Sequence, residues 1–293
     1  MTYVRSTTLI EVGTYHAKAS RPFSVRRGQQ IGNRIVLDKW VPYRSDKTAV
    51  DWRVFGFPHA AGSAAFYRSW RDHAPAGIDF CPIELPGHGG RMDEMPLTNL
   101  AALMINLQAV LQPLLTMPFA FFGHSTGACI AFEAARMLRA ADGRSAAHLF
   151  LSGRAAPGHA IEERSSQSLS DDELLALLIR HGGTPALVME RAELMAAVLP
   201  TLRADLALAE SGRLAAGARL PCPVTVFGGA DDAIDGAALR AWSNVTTGTF
   251  RVRMFPGGHF YLAEAAEALV GEIVEALRRP ESLLARQSAA VEA

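Results

Sequence analysis

The chain has 293 residues, 49% of them hydrophobic and 20% charged, the composition of a globular protein with one large domain or two small ones. Its 29 Lys and Arg balance 29 Asp and Glu, which argues against nucleic-acid binding by bulk phosphate neutralisation. Three dispersed cysteines, Cys81, Cys129 and Cys222, with no C-x-x-C pair, exclude a disulfide framework and a cysteine zinc site and point to a reducing cytoplasm.

The amino-terminal stretch stands apart. Residues 1–18 lack the basic head and long apolar run of a signal peptide, and no segment reaches the roughly 18 apolar residues of a membrane span. Within 1–48, nine basic residues face only Glu11, Asp38 and Asp46, a net charge of +6. Apolar periodicity is poor there. Residues 1–38 therefore read as a basic extension without fixed structure, or as sequence upstream of the true start, in preference to a basic docking arm. The domain proper is expected over 39–280, with a tail at 281–293.

From residue 50 the pattern becomes regular. Short β-branched and aromatic runs occur at 50–57, 78–85, 119–124, 148–153, 223–229 and 250–256. Each reads as a strand buried on both faces, the mark of a parallel sheet. Helical stretches at 64–74, 97–115, 127–141, 236–243 and 260–279 alternate with them. The fold class is α/β, a mostly parallel sheet with helices on both faces. One insertion, about 155–215, breaks the alternation. It holds amphipathic helices at 171–183 and 190–210, the first opened by Ser170 with Asp171, Asp172 and Glu173 behind it and stopped by Gly182 and Gly183. A helical insertion at this point reads as a lid over a site. Its leucines, among them Leu174, Leu175, Leu178, Leu187, Leu199, Leu202 and Leu206, exceed what two exposed helices need, and the surplus is available to line a ligand channel.

Gly123-His124-Ser125-Thr126-Gly127 lies directly between the strand at 119–124 and a helix. In that context G-x-S-x-G is a nucleophile elbow, with Ser125 on a strained turn and small neighbours letting the two backbones approach. A serine needs a base. Asp231 and Asp232 end the strand at 223–229, and His259 ends the strand at 250–256 in a Gly-rich loop. Strand carboxyl ends are where ligands sit in open parallel sheets, so Ser125, one of the two aspartates and His259 are expected to converge. The loop after the first strand, Pro58 to Gly62, is placed to supply an oxyanion donor. The backbone N–H groups of Ala60 and Thr126 are the natural pair. The remaining histidines do not pair as H-x-x-x-H with a nearby acid, so neither a metal nor a cofactor is expected. His124 reads as support for the elbow.

Nine segments in one order, from WRVFGFPHAAGSAAFY (52–67) and IELPGHGGR (83–91) through FFGHSTGA (121–128), LFLSGRAAP (149–157), HGGTP (181–185), LPTLRADLALAE (199–210), CPVTVFGGADD (222–232) and AW (241–242) to PGGHFYL (256–262), resemble the type II thioesterases that accompany nonribosomal peptide and polyketide synthases. The resemblance implies an α/β-hydrolase fold with a helical lid. It also implies hydrolysis of misprimed or stalled acyl groups from the phosphopantetheine arm of carrier proteins, without a cofactor, nucleic acid or membrane. Carried over, Ser125 is the nucleophile, His259 the base and Asp232 the orienting acid. Counting from the strand favours Asp232 and counting back from Trp242 favours Asp231; Asp232 is preferred. Ala60 and Thr126 become the oxyanion donors. The sequence departs from the family pattern at Thr126, where Met or Leu is common. It also departs at Ala61, where Gly is usual, and at Pro86-Gly87-His88, where the family has Pro-Gly-Arg. Medium-chain acyl hydrolases look similar over the same span, and a medium-chain acyl hydrolase or carboxylesterase is the alternative reading. A non-catalytic member of the fold is disfavoured by the intact serine, acid and histidine.

Overall fold

The computed structural model describes residues 34, 36–45, 50–159, 165–182, 191–212, 219–279 and 282. The readings of residues 1–33 and of the tail beyond 282 lie outside the described residues. Six strands, β1 (Trp52–Phe57), β2 (Ile78–Pro82), β3 (Phe119–His124), β4 (His148–Ser152), β5 (Val224–Gly229) and β6 (Phe250–Phe255), form one sheet in the order β2-β1-β3-β4-β5-β6. Every neighbouring pair is parallel. The helices are α1 (Trp70–His73), α2 (Leu100–Leu111), α3 (Thr126–Asp142), α4 (Asp171–His181), α5 (Ala192–Ser211), α6 (Gly236–Arg240) and α7 (Ala266–Leu277). No described helix is long and apolar enough to cross a membrane.

Alternation along the strands divides the core into two layers, because successive side chains leave opposite faces of the sheet. Phe55, Phe57, Phe121, Leu149, Leu151 and Val226 face α2 and α3. Val54, Phe80, Phe122, Phe150 and Phe227 face α1 and α7, where Trp70, Leu269, Val270 and Ile273 meet them. Strands β1 and β3–β5 are buried throughout and β2 nearly so, as their unbroken apolar runs require. Strand β6 departs from the expectation of burial on both faces. It is the sheet edge, its burial alternates, and Arg251, Arg253 and Met254 are exposed. The three cysteines are free and buried.

The domain takes in residues a little before position 39. Residues 36–40 are helical, Leu37 packs against the core, and Trp40 and Val41 are buried in it. The Arg91 guanidinium lies 4.2 Å from the Trp40 ring centre, and the Glu84 N–H donates to the Trp40 carbonyl at 2.8 Å.

Two polar groups sit inside the sheet layers. His148 places Nδ1 2.9 Å from Ser282 Oγ and Nε2 2.8 Å from Thr225 Oγ1. Arg53 and Asp79, opposite each other in the β1–β2 register, form a buried ion pair at 3.3 Å, and the Arg53 guanidinium also donates to the Leu114 carbonyl at 2.7 Å. Removing one partner of such a pair leaves a buried charge uncompensated. Arg53→Leu is therefore expected to destabilise the domain by about 3–5 kcal/mol, read as a shift of the urea midpoint.

Candidate active site

The elbow is built by exclusion. A Cβ at position 123 would lie 2.0 Å from the Gly127 carbonyl oxygen, and one at position 127 would lie 2.1 Å from the Phe57 carbonyl oxygen. Only glycine lets β3, α3 and the end of β1 meet this closely. Ser125 between them has φ 55° and ψ −116°, a conformation that side chains other than glycine rarely adopt and that costs of order 1–3 kcal/mol. Its N–H donates to the Ser152 carbonyl at 2.8 Å, tying the elbow to β4. Thr126 opens α3, so its N–H has no intrahelical acceptor. The Ala60 N–H donates to no acceptor among the described residues.

Asp232 follows β5 and His259 follows β6. The two loops are zipped together by Ala230 N–H to the Phe255 carbonyl at 2.8 Å and Asp231 N–H to the Gly257 carbonyl at 3.0 Å. A Cβ on Gly229 would lie 2.2 Å from the Gly258 carbonyl oxygen, so this approach too depends on a bare backbone. The result pairs Asp232 with His259, Nδ1 to Oδ2 at 2.8 Å, with side-chain exposures of only 3% and 7%. A carboxylate only accepts, so His259 Nδ1 carries the proton and Nε2 is left as the basic nitrogen. Burial opposes the charge on Asp232. The hydrogen bond and the charge of His259, aided by the Ile234 N–H, outweigh it and hold the carboxyl below its usual range. Asp231 is exposed and forms no ion pair or side-chain hydrogen bond among the described residues.

Ser125, Asp232 and His259 line one cavity of about 940 Å³. The segment after β4 and the helical insertion supply most of the rest of its wall, with Ala233 and Ile234 from the loop after β5. Ser170 caps α4 in a reciprocal capping box with Glu173. Arg203 of α5 then secures the segment before α4 through the Ser166 and Leu169 carbonyls, each at 2.8 Å. The leucines of the insertion divide between packing and the cavity. Leu174, Leu199 and Leu202 pack with one another and with Leu175, Leu178 and Leu206, against Ala60 and Ala61. Leu206 also faces the cavity, together with Leu169, Ala176 and Leu177, with Arg154, Arg180 and Glu210 among them. Leu187 lies outside the described residues.

A group of histidines surrounds the site, and the sequence reading missed most of it. His124 is fully buried, with Nδ1 2.8 Å from Ser152 Oγ, which in turn lies 2.7 Å from the Tyr261 hydroxyl. Its ring centre is 4.9 Å from that of His259. His181, at the end of α4, meets His259 edge-on at 4.7 Å. His59 sits edge-on to Phe66 and Phe260. Burial, then the neighbouring His259 and His88 charges, lowers the pKa of His59 to about 3. Burial, then His259, His59 and His181, pushes His124 well below the usual histidine range. These rings are neutral. Among the described residues no cluster of His, Cys, Asp and Glu is arranged to hold a metal ion.

A thioesterase-domain sequence profile matches residues 52–277. The chain belongs to the thioesterase family. It is 37% identical over 243 residues to the gramicidin S biosynthesis protein GrsT of Aneurinibacillus migulanus, covering 83% of this chain and 95% of that one. It is also 37% identical to the type II thioesterase BorB of the borrelidin biosynthetic cluster. That structure superposes with a TM-score of 0.75, over 82% of this chain and 98% of the other. The human medium-chain S-acyl fatty acid synthase thioesterase is 32% identical over 221 residues, 73% of this chain and 82% of that one. This thioesterase is thus an α/β hydrolase that cleaves acyl thioesters with a serine.

The neutral histidines give the thioesterase an acid-sensitive fold. His59 and His148, each lowered to about 3 by burial first, and His124 bind protons more readily unfolded than folded. Their contribution is full above about 6.5 and is lost as pH falls toward their folded values, at up to about 1.4 kcal/mol per pH unit for each ring. Melting temperature is expected to fall steadily from pH 6.5 to pH 4. In His148→Gln, which removes one of the three titrating rings, that slope should be visibly shallower.

Proposed function

We propose that Ser125, His259 and Asp232 form a catalytic triad, and that the thioesterase removes aberrant or stalled acyl groups from phosphopantetheinyl carrier proteins of a nonribosomal peptide or polyketide synthase. The observation that carries the triad is the 2.8 Å His259–Asp232 hydrogen bond in the cavity that also holds the strained Ser125. The assignment to synthase carriers is supported by the full-length similarity to GrsT and BorB.

The chemistry then runs in two halves. The thioester carbonyl sits by Ser125, and His259 Nε2 takes the serine proton as Oγ attacks. Asp232 keeps the imidazole in the required tautomer and stabilises its cation. The Ala60 and Thr126 N–H groups receive the developing oxyanion, an interaction worth roughly 3–4 kcal/mol per donor. Collapse expels the sulfur as a thiolate, a good leaving group because the thiol's ordinary pKa is about 8.5, and the proton held on His259 Nε2 passes to it. His259 then draws a proton from water, the resulting hydroxide attacks the acyl-serine, and the acid is released with Ser125 restored. The helical insertion acts as the lid, and the arm reaches the serine along it.

The medium-chain hydrolase reading draws on the human relative. The cavity disfavours it, because Arg154, Arg180 and Glu210 stand among its apolar residues, whereas a fatty chain calls for a continuous apolar lining. Acetyl to hexanoyl groups on a phosphopantetheinylated carrier are expected to turn over with higher kcat/KM than the same groups on a simple thiol, since the remote arm contributes binding realised at the reacting centre. Equal efficiency on both donors, or a sharp preference for long acyl-CoA, would favour the fatty-acyl reading.

Ser125→Ala is expected to lose at least about a thousandfold in kcat with the fold intact. Asp232→Asn should lose about ten-thousandfold through the wrong tautomer, and Asp231→Asn should stay close to the parent enzyme. Steady-state kinetics on one acyl thioester check both, and a reversed ranking of the two aspartates would reassign the acid.

A further inference from the structure

We infer that Asp205, on helix α5 of the insertion, is a positioning residue for the oxyanion hole, holding the loop that carries the Ala60 N–H with His88 as its charged partner. The inference rests on the oxyanion role assigned to Ala60 above. One carboxylate oxygen, Asp205 Oδ2, receives the Ala61 N–H at 2.7 Å and lies 2.7 Å from His88 Nε2. The other ring nitrogen of His88, Nδ1, lies 2.9 Å from the Pro86 carbonyl oxygen. Both ring nitrogens therefore face atoms that only accept, so both carry protons and His88 is an imidazolium. The pair is shut away from water, with side-chain exposures of 2% and 4%.

What this pair holds is a strained backbone. Ala61 has φ 58°, in the left-handed region that favours glycine. Such a conformation persists where the surroundings over-determine it. Here the determinants are the Gly62 N–H to His59 carbonyl bond at 2.9 Å, which closes the turn, and the Asp205 carboxylate, which fixes its orientation. The Ala60 N–H is the neighbour of that anchored amide. Because Asp205 belongs to the insertion and Ala61 to the loop after β1, separated by 144 residues, the oxyanion loop is set by the seating of α5. The Thr201 hydroxyl, one turn earlier, bonds the Gly87 carbonyl at 3.3 Å and fastens the same helix to the His88 loop.

The charged and titratable groups facing His88 are Asp205 from α5, Glu84 from the segment after β2 and His59 from the loop after β1, with Arg91 facing Glu84 in turn. Burial disfavours the His88 cation, but Asp205, the Pro86 carbonyl and Glu84 outweigh it, and its pKa is raised. The contribution of the pair is therefore full below about 6.5 and is lost as pH rises through the raised value.

The test compares Asp205→Ala, Asp205→Asn and His88→Arg with the parent enzyme, using one acyl thioester and a boronate that mimics the tetrahedral intermediate. In Asp205→Ala, kcat is expected to fall by about 10²–10³ with KM changing far less, and boronate affinity to fall in step, because a misplaced oxyanion donor is felt only at the transition state. His88→Arg keeps a charged donor toward Asp205. The parent's kcat is expected to decline at alkaline pH as His88 loses its proton, and His88→Arg should retain most of kcat and abolish that decline. Asp205→Asn keeps the shape and guards against misfolding of the alanine variant; a substantial loss of kcat is expected there too. Unchanged kcat in either folded Asp205 variant, or a loss confined to KM with boronate affinity intact, overturns the inference. Stoichiometric fluorophosphonate labelling of Ser125 is measured in parallel. Its absence in the parent enzyme would overturn the triad, whereas normal labelling with undisturbed Asp205 variants would overturn the positioning role alone.

Discussion

The site hangs on one steric condition, that nothing larger than hydrogen projects from positions 123 and 127. With those positions bare, the first turn of α3 presses against the end of β1 and its own strand, and the residue between them is forced to φ 55°. The rest follows from that approach. Ser125 is lifted clear of the sheet, its amide is pinned to β4, and the amino end of α3 is aimed into the cavity. The same device recurs across the site at Gly229, where a bare backbone brings the acid loop onto the histidine loop. Catalytic geometry here comes from backbone contacts that no side chain can adjust, which suits a reaction sensitive to small displacements.

Around that rigid centre the polar groups are arranged by depth. Asp232 and His88 keep their charges because each has a buried partner at hydrogen-bond distance. Among the described residues His59 and His124 have no carboxylate partner, and burial holds both below the usual histidine range. The neutral His124 ring beside His259 provides bulk without a second positive charge. The cavity's lining is mixed, with Leu169, Leu177 and Leu206 beside Arg154, Arg180 and Glu210, while other leucines of the insertion join α4 to α5.

Much of this was legible in the sequence, for reasons that can be named. Strands β1 to β5 announce themselves because a parallel sheet covered on both faces needs unbroken apolar runs. The elbow is legible because its glycines and serine are adjacent, and the Asp232–His259 pair because each residue follows the end of a strand. Strand β6 misled on burial. Its apolar and β-branched residues suit an edge as well as a centre, and nothing local says that no strand lies beyond it. The choice between Asp231 and Asp232 is one of turn geometry, set by where the Asp231 amide meets Gly257. Contacts between distant segments were out of reach. Asp205 stands in a motif that was recognised, yet its partners lie 117 and 144 residues away. His181 meets His259 only through the placement of a helix whose hydrophobic pattern fixes its own packing and not its neighbour.

The cysteines acquire a meaning once the reaction is known. Each thioester cleavage liberates a thiol, a group that exchanges with accessible disulfides and traps accessible thiols under oxidising conditions. Cys81, Cys129 and Cys222 are all enclosed. Burial first, then the neighbouring Asp79, pushes Cys81 far from ionising, and burial raises Cys222 to about 12. With the thiolate form suppressed at Cys81 and Cys222 and all three sulfurs buried, the protein presents no reactive sulfur to its own product. A thiol released in the cavity meets no accessible cysteine with which to become tethered.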